Sequence, residues 1–222
     1  MRKVPFINGE FYHIYNRGVD KRDIFSNEYD IDRFFQSMKE FNVIEPIGSI
    51  YANSFHQTEL VLRRPTSKLV NIVCYCLNSN HYHILLEQLF VVGISEFMKR
   101  LGGGYTKFFN EKQKRNGALF QGRFKSVHVN SNEYLLHVSA YINLNDQVHA
   151  LGRQTPATSK LVKSSWGEYA GNSSSQDFCK KDMILEQFNN SGEYKIFAKE
   201  TADWMIERRR EDKKLGDLLL EE

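Results

Sequence analysis

The sequence predicts an α+β fold, an antiparallel sheet with helices on one face, followed by a C-terminal helical extension. Three observations carry this. The elements run β-α-β-β-α-β and then a helix, the order of a split βαβ unit. Two strand-like runs, "LVNIVCYCL" and "HYHILLEQL", are joined by the turn residues "NSN" and read as a hairpin. After Leu151 the composition turns polar and loop-like.

The elements follow in order. "EFYHIYNRGV" (Glu10 to Val19) is aromatic and β-branched and stops at a glycine, so it reads as a strand. From Asn27 to Glu45, Ile31, Phe34, Phe35, Met38, Phe41 and Ile44 recur at helical spacing, and "PIG" ends the helix. Residues 48–66 fit neither period, and Arg63, Arg64 and Pro65 close them. The hairpin comes next. Gly93 to Arg115 predicts a long helix with Ile94, Phe97, Met98, Leu101, Tyr105 and Phe108 inward. Its run Gly102-Gly103-Gly104 implies a kink or a close approach, because glycine is a poor helix former. "ALFQGRFKSVHV" (Ala118 to Val129) predicts a strand with a bulge at its glycine. Asn130 with Glu133 resembles a capping box for a last helix carrying Leu135, Leu136, Val138, Tyr141, Ile142 and Leu144. Residues 1–150 would form one catalytic domain, and 151–222 an extension of loop, "SSWGEY" segment and helical tail.

Composition narrows the class. The chain is 41% hydrophobic and 26% charged, ordinary for a globular protein, and its apolar runs fall far short of a membrane span. The start lacks the apolar stretch of a signal peptide, so a cytoplasmic protein is expected. Cys74, Cys76 and Cys179 make no disulfide framework. Charge is uneven. Between Lys99 and Lys125, eight basic residues face one acid, Glu111, for a local charge of +7 in a chain of net +3. Such a patch points to a polyanion partner.

Two clusters carry chemistry. His81 and His83 lie two apart on a strand, hence on one face, with Tyr82 on the other. Their Cα atoms are roughly 7 Å apart, close enough for both rings to converge on one ion. Tyr141 and Asn145 are four apart, which stacks them on one helix face. A tyrosine hydroxyl can attack phosphorus when a Lewis acid offsets the charge that develops. An asparagine oxygen one turn away would complete the ligand set. His137 and Glu87 are reserve ligands. Tyr134 and Tyr105 are weaker nucleophile candidates, because Tyr134 lacks a polar residue four ahead and Tyr105 reads as packing.

"YHIYNRGVDKRDIF", "CLNSNHYHILLE", "YTKFFNEKQKRNGALFQGRFKSV", "EYLLHVSAYINLN" and "SSWGEYAG" together resemble the REP-associated tyrosine transposases, a branch of the IS200-like single-tyrosine HUH transposases, over about residues 10–171. The resemblance implies a ferredoxin-like fold and a transesterase that cuts and rejoins single-stranded DNA beside hairpins. It implies a Mg²⁺ or Mn²⁺ ion held by His81, His83 and Asn145, and Tyr141 as the nucleophile that keeps the 5′ phosphate. It implies an enzyme working at the nucleoid, as a monomer or a homodimer. Lys107, Lys112, Lys114, Arg115, Arg123 and Lys125 would line the DNA path, with Phe120, Phe124 or Tyr105 as stacking surfaces. Trp166 and Tyr169 would be structural. The sequence departs from the family where Asp146 replaces the usual proline after the asparagine. The alternative is a hairpin-binding protein of the same fold that has lost catalysis. An RNA-recognition module lacks its aromatic motif here.

Overall fold

The computed structural model describes residues 5–50, 67–150, 161–171 and 178–218. Most of the ambiguous stretch closed by Arg63, Arg64 and Pro65, and the loop at 152–160, fall outside them. Five strands form one antiparallel sheet: β1 (Phe11–Arg17), β2 (Val70–Asn78), β3 (His81–Gln88), β4 (Lys125–Val129) and β5 (Lys163–Ser164), in the order β4-β1-β3-β2-β5. The helices are α1 (Glu28–Glu40), α2 (Gly93–Lys112), α3 (Asn132–Asn143), α4 (Asn145–Ala150), α5 (Trp166–Tyr169), α6 (Asp182–Leu185) and α7 (Ser191–Leu218).

Strand alternation divides the interior into two cores. Tyr12 and Ile14 on β1, Tyr75 and Leu77 on β2, and Tyr82, Ile84 and Leu86 on β3 share one face. Phe34 and Met38 of α1 and Phe97, Leu101 and Tyr105 of α2 cover it. Full burial of such side chains contributes about 1.5–3 kcal/mol each. Val73, Cys74, Cys76 and Leu85 point the other way, against Leu135, Val138 and Ile142 of α3 and Tyr194 and Ala198 of α7. The two helices inside the split βαβ units therefore share one face as expected, whereas α3 and α7 cover the opposite one. The reason was visible in β2: a strand apolar on both sides needs a cover on both sides. A register shift between Ile72 and Cys74 places Val73 and Cys74 in the same core.

Local chemistry sets the ends. Asn27 caps α1 by accepting from Asp30 N at 3.1 Å. The α3 cap is Ser131, which accepts from Tyr134 N at 3.1 Å, and not Asn130. α2 is continuous through its glycines. A Cβ on Gly104 would lie 2.8 Å from the Phe41 ring, so the close approach is real there. The strand expected from Ala118 shrinks to β4. Gly122 adopts φ +75° in a turn, and only Phe120 upstream makes a bridge, to Gly18.

The extension belongs to the fold. β5 pairs with β2, and Ser165 Oγ accepts from Tyr75 N at 2.8 Å and donates to Asn143 Oδ1 at 2.6 Å. Tyr169 is fully buried and donates to Val73 O at 2.9 Å. The three cysteines are free and buried. Among the described residues no helix is long and apolar enough to cross a membrane.

Candidate active site on the second face of the sheet

β3 leaves the turn at Asn80 with His81 and His83 on the α3 side of the sheet and Tyr82 in the α1–α2 core. The two imidazoles stand perpendicular, with ring centroids 5.3 Å apart. His81 Nδ1 lies 2.6 Å from Asn80 Oδ1. The Asn80 amide nitrogen already donates to Lys21 O at 3.1 Å, which fixes that oxygen as the acceptor. His81 thus carries its proton on Nδ1 and presents a lone pair at Nε2.

α3 brings Tyr141 to the histidines. Its ring packs edge-on to His83 at 5.5 Å and to His13 at 5.9 Å. Tyr141, His81, His83, Tyr15, Gln121 and Lys125 line one cavity of about 260 Å³. Arg209 of α7 sits 6.0 Å above the Tyr141 ring and donates to Val148 O at 3.3 Å.

Asn145 arrives differently from the expectation. α3 ends at Asn143, Leu144 breaks it with φ −111° and ψ 21°, and Asn145 opens α4. Tyr141 and Asn145 are therefore not stacked on one continuous helix. The break turns Asn145 into the sheet, where it is fully buried. Its Oδ1 accepts from Asn78 Nδ2 at 3.0 Å and lies 3.4 Å from His81 Nε2. Asn78 Nδ2 is also 3.3 Å from His81 Nε2. Asn145 Oδ1 and His81 Nε2 thus converge on the Asn78 amide NH2, an arrangement that a cation could take over. Among the described residues Asn145 Nδ2 is buried with no hydrogen-bond partner, a costly state for a polar atom.

His13 was not foreseen. It sits on β1 opposite Leu85, one register step diagonal to His83, and its Nε2 is 2.8 Å from His83 Nδ1. It is 8% exposed, and burial lowers its pKa to about 4, so it is neutral near pH 7. His83 Nδ1 is thus engaged by His13. The signal was a histidine on the strand face of "FYHIY". Strand pairing, which sequence spacing does not reveal, was needed to read it.

The other expected residues fall into two sets. Lys125 enters the cavity, and Arg123 and Lys107 border a groove beside α2. Lys114 is exposed, at φ +49°. Lys112 instead pairs with fully buried Asp30 at 2.5 Å, and Arg115 donates to Asn110 Oδ1 at 2.8 Å and Ala118 O at 2.9 Å. Both of these brace the fold. Tyr105 is fully buried and donates to Ile24 O at 2.6 Å, so it neither stacks nor attacks. His137 turns to α7, 3.3 Å from Thr201 Oγ1, and Glu87 accepts from Asn71 at 2.8 Å. Among the described residues, no three His, Cys, Asp or Glu side chains gather as a metal site.

Residues 54–145 match the family model described as "Transposase IS200 like". That segment is similar to the IS200-like transposase domain. It contains His81, His83, Tyr141 and Asn145 and stops short of β1 with His13. A solved structure of a REP-associated tyrosine transposase bound to a REP hairpin is similar over 77% of this chain and 85% of that one, with TM-score 0.47 and 13% identity. No curated protein matches the chain.

Proposed function

We propose that this IS200-like protein is a divalent-metal-dependent transesterase that cuts and rejoins single-stranded DNA near hairpins, acting at the nucleoid. The observation that supports it best is the meeting of His83 and Tyr141 at 5.5 Å across one cavity that His81 and Lys125 also line. In this reading the Tyr141 hydroxyl attacks the scissile phosphorus. A P–O bond forms to the tyrosine oxygen, which gives up its proton to water, the P–O bond to the 3′ oxygen breaks, and that oxygen takes a proton from water and leaves as a 3′ hydroxyl. Rejoining reverses the step, with a 3′ hydroxyl as attacker. Lys125 would hold the phosphate in place.

The residues fit a metal ion. His81 Nε2, His83 Nε2 and Asn145 Oδ1 would hold it, and when bound it would supply Lewis-acid stabilisation of the phosphate charge. His13 would accept the His83 Nδ1–H and fix that ring's tautomer and angle, as outer hydrogen bonds do for metal-bound histidines. The donor set is neutral, so the DNA phosphate would provide the anionic ligand. Two imidazoles favour Mn²⁺ over Mg²⁺.

Incubation with hairpin-bearing single-stranded DNA and Mn²⁺ tests the reading. A covalent protein–DNA adduct is expected from the wild type and none from Tyr141→Phe. Binding without an adduct in the wild type would leave the non-catalytic hairpin binder standing instead.

A further inference from the structure

The histidine cavity holds a second phenol, Tyr15, which the proposed chemistry leaves idle. Directly opposed residues of antiparallel strands project to the same face of a sheet. Tyr15 on β1 is opposite His83 on β3 and opposite Lys125 on β4, so Lys125, Tyr15 and His83 make one row across the sheet. The Tyr15 ring lies 5.6 Å from His83, 21° from parallel, and 5.2 Å from His13. Tyr141 meets the same imidazole at 79°. One imidazole thus touches two phenols, one rising from the sheet and one coming from the helix that covers it.

Burial separates these two from the other tyrosines. The buried Tyr12 hydroxyl accepts from Ile7 N at 3.0 Å, and those of Tyr105 and Tyr169 donate to Ile24 O and Val73 O. Tyr194, also buried, accepts from Asn143 Nδ2 at 2.8 Å. Tyr29 and Tyr134 are exposed. Among the described residues only Tyr15 and Tyr141 are half-buried tyrosines, and neither hydroxyl has a hydrogen-bond partner there. A phenylalanine would pack on His83 equally well. A hydroxyl kept at a cavity wall without a protein partner is left for water or a ligand.

The row decides what that ligand is. A phosphate that bridges Lys125 and an ion at His81 and His83 lies over Tyr15, the residue between them. From this geometry we infer that Tyr15 is a catalytic residue whose hydroxyl donates a hydrogen bond to the departing 3′ oxygen. Attacking and leaving oxygens stand roughly in line on opposite sides of phosphorus. Tyr141 attacks from the helix layer, so the leaving oxygen points toward the sheet, where Tyr15 stands. The hydrogen bond strengthens as the P–O bond to that oxygen breaks and charge collects on it, and water supplies the proton that completes the 3′ hydroxyl. In rejoining, the same contact orients the attacking 3′ oxygen. The inference rests on the proposed function and adds Tyr15 to it as a donor, not as a nucleophile.

The test gives the full chain hairpin-bearing single-stranded DNA and Mn²⁺ and follows adduct formation in a single turnover, beside DNA affinity and Mn²⁺ affinity. Two scissile linkages are compared, the natural one and one with sulfur in place of the 3′ oxygen. A thiol is a far stronger acid than an alcohol, so sulfur leaves as a thiolate without help from a donor. Tyr15→Phe keeps the ring on His83. It should slow adduct formation on the oxygen linkage about 100-fold, the cost of one lost oxyanion donor. DNA affinity, Mn²⁺ affinity and melting temperature should not change, and on the sulfur linkage Tyr15→Phe should match the wild type. Equal rates of the two proteins on the oxygen linkage overturn the inference, as does a defect of the same size on both linkages. Tyr15→Leu removes the ring as well. Weakened Mn²⁺ binding in Tyr15→Leu, with a wild-type rate in Tyr15→Phe, would make Tyr15 a positioning residue for His83 and overturn the donor role. A wild type that forms no adduct overturns the proposed function and the inference together, whereas an adduct formed equally fast by Tyr15→Phe overturns the inference alone.

Discussion

The two faces of β3 differ sharply in what they hold. Tyr82, Ile84 and Leu86 lie at most 2% exposed among aromatic and aliphatic side chains, where the sheet and two helices close completely. On the other face Leu85 is equally sealed, but His83 and His81, two and four residues back toward the turn, open into a cavity. α3 covers that face only until the chain breaks at Leu144. The same strand thus supplies a rigid apolar anchor on one side and two neighbouring imidazoles on the other. The polar corner around Asn78, Asn145 and His13 costs stability, and the apolar side offsets that cost. Residues on the first face should therefore control whether the protein folds, and residues on the second what it binds.

This contrast can be broken or sharpened by substitution. The largest effect on folding should come from Ile84→Ala, which leaves a cavity in the closed core. A loss of about 2–5 kcal/mol in chemical denaturation is expected, with Mn²⁺ affinity retained in the folded fraction. His13→Phe should do the reverse. Mn²⁺ affinity measured by calorimetry should fall about 10–100-fold with a small change in stability, and His13→Gln, which keeps an acceptor, should recover part of it. Equal Mn²⁺ binding in His13→Phe and wild type would show that His13 does not position His83. Asn145→Asp should lower metal-free stability by burying a charge and raise Mn²⁺ affinity by making the donor set anionic. A thermal melt with and without Mn²⁺ reads both. The smallest effect should come from the glycine run. Gly102→Ala should stabilise by about 0.5–1 kcal/mol, whereas Gly104→Ala, pressed against Phe41, should destabilise.

Much of this was legible before the structure. The hairpin, the shared face of His81 and His83 and the inward turn of Tyr82 follow from period-2 alternation, which needs no tertiary information. Of the kink or close approach expected of the glycine run, the helix shows the close approach, and only at Gly104. Three features were not legible. The break between Tyr141 and Asn145 falls in "INLND", with no glycine or proline to announce it. The break coincides with the burial of Asn145 against Asn78. His13 needed the β1–β3 register, which is a long-range property. The roles of Lys112 and Arg115 depend on Asp30, Asn110 and the Ala118 carbonyl, so a charge count groups them with Arg123 and Lys125 although the structure uses them as braces.

The account depends on one residue reaching the histidine face from the far side of the cavity. The direct test is to trap the wild type on hairpin-bearing single-stranded DNA with Mn²⁺, digest the adduct and locate the nucleotide-bearing tyrosine by mass spectrometry. The account predicts Tyr141 alone. Modification of Tyr134, or of any other tyrosine in place of Tyr141, would contradict it.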